Sequence, residues 1–373
     1  MTPREILFAA LEGHPTDRVP VWLLFPFHAT SYYVDVRNHP AYRPIHEMAL
    51  RHAVTLNRRN LTVPVFASGV SRTVRRRTDG GVTIEETTWR YRRFRLTSRR
   101  SIPHDPKRCK PLLCTPEDLE SFAAMPMSTD PRAIAAQLDA QLPCYLRERD
   151  EFPRDCGAMM LDLGEPIGVL YHASVMEELY VWSVTHNDLV VTILNRLMDR
   201  SRAIYRYCLE RDLADVYFMV GSELAAPPMV SHDTFRRWVV PYARELIAMI
   251  HGRGRKVIQH FHGEIRTLLR DFVEMAPDAL HTIEAPPVGN CTMTQAYEAV
   301  GDGITLIGNI QYDDFRALTP EQMTRAVHTL LDECRGRRHI LSPSAGPFDP
   351  NPPPRVIENY RAFLEAAVSY GTR

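Results

Sequence analysis

Short apolar runs alternate with longer segments of helical spacing along most of the chain. RVPVWLLF (18–25) is bounded by GHPTD before it and Pro26 after it, which reads as a strand between turn residues. GAMMLDLGEP, ADVYFMVGSE, KVIQHFHG, DALHTIEAPP, ITLIGNIQ and HILSPSAG repeat the pattern, each an apolar run that closes on polar or small residues. Helical segments lie between them. HNDLVVTILNRLMDRSRAIYRYCLERD carries apolar residues three and four apart behind a cap at Asn187 or Asp188. SHDTFRRWVVPYARELIAMIHGRGR starts at a Ser231 cap, stops near Gly252 and Gly254, and is predicted to kink or split at Pro241. TPEQMTRAVHTLLDECRG opens with Thr319 as cap, Pro320 at the first helical position and Glu321 as first-turn acid, and stops at Gly336.

Strands that alternate with helices predict parallel βα units. For 373 residues the economical solution is one α/β domain over 1–373, a (β/α)8 TIM barrel with an N-terminal extension. An open doubly wound sheet is the alternative, but no G-x-G-x-x-G follows a predicted strand. One region breaks the alternation. SRTVRRRTDGGVTIEETTWRYRRFRLTSRR (71–100) reads as an inserted β-ribbon turning at Asp79-Gly80-Gly81. The ten arginines of this ribbon suit an acidic partner or an anionic substrate, or else a solvated surface interleaved with Asp79, Glu85 and Glu86.

Lys+Arg and Asp+Glu balance at 45 each, so the composition gives no reason to expect a nucleic-acid or membrane partner. No uninterrupted apolar stretch reaches the ~18 residues of a spanning helix. MTPREILFAALEG is broken by Arg4, Glu5 and Glu12, which argues against a signal peptide. Seven scattered cysteines without a C-x-x-C pair read as reduced thiols, hence a cytoplasmic location. Neither G-x-S-x-G nor a Walker A segment occurs.

Barrel chemistry belongs at the C-terminal ends of the strands. The predicted strand ends carry His28, Glu165, Glu223, His260 with His262, Glu284, Asn309 with Gln311, and Ser342 with Ser344. Residues two apart on a strand share a face, so His260 and His262 have the spacing that chelates one metal. Glu284 on the neighbouring strand would complete an N2O set that leaves zinc an open position. A strand merely closed by polar residues is the plainer reading. Cys291, seven residues beyond Glu284, is a lone loop thiol.

DRVPVW, GSELAAPPMVSHDTFRRWVVPYARELIAMIHGRGRKVIQHFHGEI, EAVGDGITLIGNIQ and ENYRAFLEAA resemble, in order, the uroporphyrinogen decarboxylase superfamily. The resemblance is weakest from 70 to 155. It implies a single (β/α)8 barrel, and a choice between metal-free porphyrinogen decarboxylases and zinc-dependent methyltransferases that exchange methyl groups with corrinoid proteins. The arginine-rich stretch that follows the first strand in the decarboxylases is here LLFPFHATSYY, with no arginine before Arg37. The methyltransferase motif H-x-C is here HFH: His260 matches the first ligand, His262 replaces the cysteine, and SPSAG lacks the terminal thiol.

The resemblance therefore implies Zn²⁺ at His260, His262 and Glu284, and methyl transfer or demethylation on a small molecule or with a corrinoid protein. Glu165 and Glu223 would orient substrate or handle protons, and Asn309, Gln311 and Ser344 would contact it. The corrinoid would arrive on a separate protein, since no D-x-H-x-x-G segment occurs. A homodimer is compatible with the superfamily. Two rival readings stand beside this one. The first is a metal-free lyase with His28 and His260 as acid–base groups and Arg72–Arg77 replacing the lost arginines. The second is a non-catalytic barrel that presents its basic ribbon to a partner.

Overall fold

Apolar runs closed by polar residues become strands in the computed structural model, which describes residues 1–370. β1 (Thr55–Asn60) is followed by the ribbon strands β2 (Ser71–Asp79), β3 (Val82–Tyr91) and β4 (Phe94–Ile102). The remaining strands are β5 (Gly157–Asp162), β6 (Val216–Val220), β7 (Lys256–His260), β8 (Ala279–His281), β9 (Thr305–Ile310) and β10 (His339–Pro343). β1 and β5 to β10 form one seven-stranded parallel sheet in the order β1-β5-β6-β7-β8-β9-β10. This is the curled parallel sheet of a TIM-barrel-like fold.

Both edges of that sheet meet the segment Pro20–Trp22. Trp22 donates its backbone N–H to Leu341 at 2.9 Å, Leu341 donates to Pro20 at 2.9 Å, and Val54 donates to Val21 at 2.7 Å. The strand predicted over 18–25 is thus reduced to bridges at Val21 and Trp22. Pro20 lacks the N–H a longer ladder needs, and Leu24 turns out of extended geometry at φ 56°.

Side chains on a strand alternate between faces. Leu56, Met160, Phe218, Ile258, Ala279 and Ile307 face one apolar core inside the sheet, joined by Ile6, Leu7 and Leu11 of the helix Pro3–Glu12. Two residues further along, the same parity delivers Arg58, Asp162, His260, His281 and Ser342 to one level, all buried. The interior therefore changes from apolar to polar within one layer, at the C-terminal ends of the strands.

Helix ends follow the sequence signals with one exception. Ser231 accepts from the N–H of Thr234, and Pro241 splits the predicted helix into His232–Trp238 and Val240–His251. Thr319 and Gln322 form a capping box ahead of Pro320–Glu333. The long helix Asn187–Glu210 corrects the expected cap: His186 stands at the cap position, and the Asn187 amide donates to the Ser183 carbonyl instead. The ribbon turns at Gly80 and Gly81, both at positive φ (57° and 79°), as a tight turn at that place demands. It is a three-stranded antiparallel sheet. No described helix is long and apolar enough to cross a membrane.

Candidate active site at the strand ends

His260 ends β7 pointing into the polar layer and is 7% exposed. β8 pairs with β7 so that His281 lies directly opposite, and the two rings stack at 4.8 Å. Their Nδ1 atoms are 2.6 Å apart. The tautomers follow from the acceptor at the far end. His281 Nε2 lies 3.0 Å from the Pro343 carbonyl oxygen, which can only accept, so Nε2 carries the proton. His281 Nδ1 is then an acceptor, and His260 donates to it from Nδ1–H. The consequence is a His260 Nε2 with a free lone pair. Burial, with the neighbouring His281 and His262, holds the His260 pKa well below its usual value, so the ring is neutral. Burial likewise lowers His281 to about 3.

His262 lies just past the strand and is partly exposed, its ring edge-on to His260 with centroids 4.5 Å apart. Its Nδ1 is 3.2 Å from Glu284 Oε1, while Glu284 Oε2 accepts the Gly263 N–H at 2.7 Å. Burial opposes charge on His262, but the Glu284 hydrogen bond and the charges of Glu284 and Glu223 outweigh it and raise its pKa. Burial opposes the charge on Glu284 too, yet His262 and the Gly263 amide hold it below the usual carboxylate range. Both shifts favour an imidazolium–carboxylate pair. Gly263, at φ 81°, gives its amide to Glu284 from a conformation that suits glycine.

Two further carboxylates face the same space. Glu165 stands at the N-cap position of the helix Pro166–Ala173, its side chain turned away from the helix amides, and is 3% exposed. One of its oxygens accepts from the Ser222 hydroxyl at 2.6 Å; the other is buried without a partner among the described residues. Burial pushes its pKa up to about 7, against the Ser222 hydrogen bond. Glu223 also has a buried unpartnered oxygen, and burial raises its pKa. Gly221, at φ 104°, lets the Tyr171 hydroxyl approach so closely that a Cβ there would lie 2.1 Å from it.

The layer also holds an arginine, Arg58. It pairs with Asp162, both buried, and its guanidinium lies 4.4 Å from the Tyr32 ring and 4.9 Å from Phe218. Burial opposes its charge, but Asp162 and Tyr33 outweigh this and raise its pKa.

His260, His262, Glu284 and Glu223 are thus brought together, with Glu165 beside them through Ser222. His28 makes its contacts elsewhere: Asn57 Nδ2 is 3.0 Å from its Nδ1, and Glu151 3.2 Å from its Nε2. Asn309 pairs across the sheet with Ser342. Gln311 Oε1 accepts from Ser344 Oγ at 3.3 Å and leaves its amide nitrogen buried and, among the described residues, unpartnered. Cys291 is buried, its thiol pushed up to about 11 by burial, which suits neither a nucleophile nor a ligand.

Three central residues were hidden in the sequence. Arg58 lies in TLNRRN, too polar to read as a barrel strand, and Asp162 took no part in the strand-end count because Glu165 follows it. His281 sat inside an apparent core run, although counting two from Ala279 would have placed it level with His260.

As donors for a metal, the histidines fit better than the full predicted set. His260 Nε2 has a free lone pair, and a ligating imidazole whose other nitrogen meets a carboxylate is what Glu284 makes of His262. Both Glu284 oxygens are already engaged, and among the described residues no three His, Cys, Asp or Glu side chains are assembled around one ion. Glu223 and Glu165 each keep an oxygen unpartnered among the described residues, and of the two the Glu223 charge bears on His262.

The family model for uroporphyrinogen decarboxylase (URO-D) matches residues 163–370, more than half of the chain. No curated protein sequence matches. Among solved structures, a methyltransferase from Methanosarcina mazei superposes with a TM-score of 0.58 at 16% identity, over 99% of this chain and 99% of that one.

Proposed function

The chain belongs to the uroporphyrinogen decarboxylase family, and on that premise we propose that it is a methyltransferase or demethylase acting on a small molecule at the strand ends described above. The observation that carries this reading is the His281-locked tautomer of His260, which presents a neutral imidazole lone pair beside His262. His260 and His262 would hold Zn²⁺ through Nε2, with Glu223 as the third donor and Glu284 as the carboxylate that orients His262. The metal would supply Lewis acidity to the heteroatom that loses or receives the methyl group. Loading it would displace the Nε2 proton of a charged His262 ring and leave Nδ1–H with Glu284. Glu165, protonated below about pH 7, can give its proton to the departing heteroatom, which keeps the electron pair of its broken bond to methyl. Tyr32, Tyr33 and Arg58 form a wall that orients the substrate. A corrinoid on a separate protein is the partner this reading proposes for the other half of the methyl exchange. The similarity in fold to a Methanosarcina methyltransferase supports the methyl-transfer part of this reading.

The lyase reading is weakened by the balance of charge. Asp162, Glu165, Glu223 and Glu284 all lie at the strand ends, and Asp162 already engages Arg58, so a polyanionic substrate would meet few free cations. Arg72–Arg77 lie on β2 of the ribbon, where Arg76 pairs with Glu85.

The test is the metal content of protein purified without a polyhistidine tag, beside His260→Ala and His262→Ala. About one zinc per chain in the wild type, lost in both variants, is the expected result. A folded wild type that binds no added zinc refutes the metal-dependent mechanism.

A further inference from the structure

A cavity of about 820 Å³ opens between the ribbon and the outside of the barrel. It falls within the range of about 300–1,000 Å³ that houses drug-sized molecules. The helix Pro166–Ala173 separates it from the strand-end site. Val169, His172 and Ala173 stand at i, i+3, i+4 spacing and line the cavity, while Tyr171 leans the other way onto Gly221. The cavity is therefore a second space with its own walls.

Those walls are mainly apolar and partly aromatic. Phe66, Trp89 and Phe122 contribute ring surface, with Phe66 centroids 6.3 Å from Trp89 and 5.2 Å from Phe122. Two cations, Arg72 and Lys110, reach the lining, and no carboxylate among the described residues does. Arg72 stands directly across the β2–β3 ladder from Trp89. It has no hydrogen-bond or ion-pair partner among the described residues, whereas Arg76 and Arg100 share Glu85 at 2.8 Å each. Lys110 is 4.0 Å from Asp118 and donates to the Thr97 carbonyl at 3.3 Å, so its charge is only partly met.

We propose that this cavity binds a small aromatic carboxylate, with its ring against Trp89 and Phe66 and its carboxylate between Arg72 and Lys110. Aromatic walls favour a flat ring. The apolar lining excludes a multiply charged solute, because each unpaired charge would lose its hydration. A guanidinium with no partner takes a carboxylate through two parallel N–H donors. The ribbon thereby supplies half of a ligand site, which gives one of its arginines a role that a solvated surface does not explain. This site is independent of the methyl-transfer reading.

The test is calorimetric titration of the full chain with 2-naphthoate and with its uncharged counterpart 2-naphthalenemethanol. Saturable one-to-one binding of naphthoate is expected, with the alcohol weaker by about tenfold or more, the worth of one charge-assisted contact. Arg72→Gln weakens naphthoate by a similar factor, and adding Lys110→Met weakens it further. Ala133→Trp, at an exposed rim position of the helix Pro131–Asp139, plugs the cavity and abolishes binding. His260→Ala binds naphthoate as the wild type does. Circular dichroism confirms that each variant is folded, and the cation variants decide the matter if the tryptophan does not fold. Absence of saturable binding, equal binding of acid and alcohol, or affinity unchanged in Arg72→Gln/Lys110→Met overturns the proposal.

Discussion

Glu165 offers the sharpest test of the site's electrostatics. Its carboxyl is 3% exposed, one oxygen has no partner among the described residues, and burial pushes its pKa up to about 7 from an ordinary 4.5. The folded pKa is therefore raised. Its contribution to stability is full below the unfolded value and is lost as pH rises through the folded one. At roughly 1.4 kcal/mol per unit, the whole shift is worth about 3 kcal/mol. About 2 to 3 kcal/mol of that falls between about pH 5 and about pH 8.5. Glu165→Gln keeps an amide oxygen for the Ser222 hydroxyl but carries no charge, so it should gain on the wild type by that amount across the window. Urea midpoints of both proteins, followed by circular dichroism after chelation, measure the difference at each pH, and other titrating groups cancel. A difference that stays flat with pH, or that favours the wild type at the alkaline end, would refute the reasoning.

Two further predictions concern the same layer. His281→Phe removes the acceptor that fixes the His260 tautomer and should cost about 10- to 100-fold in zinc affinity, the usual worth of a group that orients a ligand; competition with a chromophoric chelator reads it, and unchanged affinity would sink the tautomer argument. Arg58→Met leaves Asp162 buried and unpaired and should destabilise by about 3 to 5 kcal/mol in urea unfolding, whereas Arg58→Met/Asp162→Leu should recover most of the loss. A double variant no more stable than the single one would mean that Arg58 acts through its ring contacts and not through its charge.

The strands of the barrel were legible wherever an apolar run met a break, as at β5, β6, β7, β9 and β10. β1 was not, because a strand that delivers Arg58 to the interior must interrupt its own apolar pattern. The strand over 18–25 was read too long, since periodicity does not register that Pro20 and Leu24 limit its ladder to two residues. The helix split at Pro241 was visible because proline acts locally. At the site, strand ends identified His260, His262, Glu165, Glu223 and Glu284 as neighbours in kind. What each one does depends on partners from other strands. Glu284 turned to His262 and the Gly263 amide, and His281 set the protonation of His260, through contacts 21 or 22 residues apart in sequence.

The stacked pair His260 and His281 also constrains how this lineage can change. A single replacement at either position strands a buried nitrogen on the other, at about 1–3 kcal/mol. Substitutions at the two positions should therefore enter together or not at all, so that relatives of this chain divide into those that keep both rings and those that have exchanged both. The pair should then be inherited as one unit more than as two separate sites.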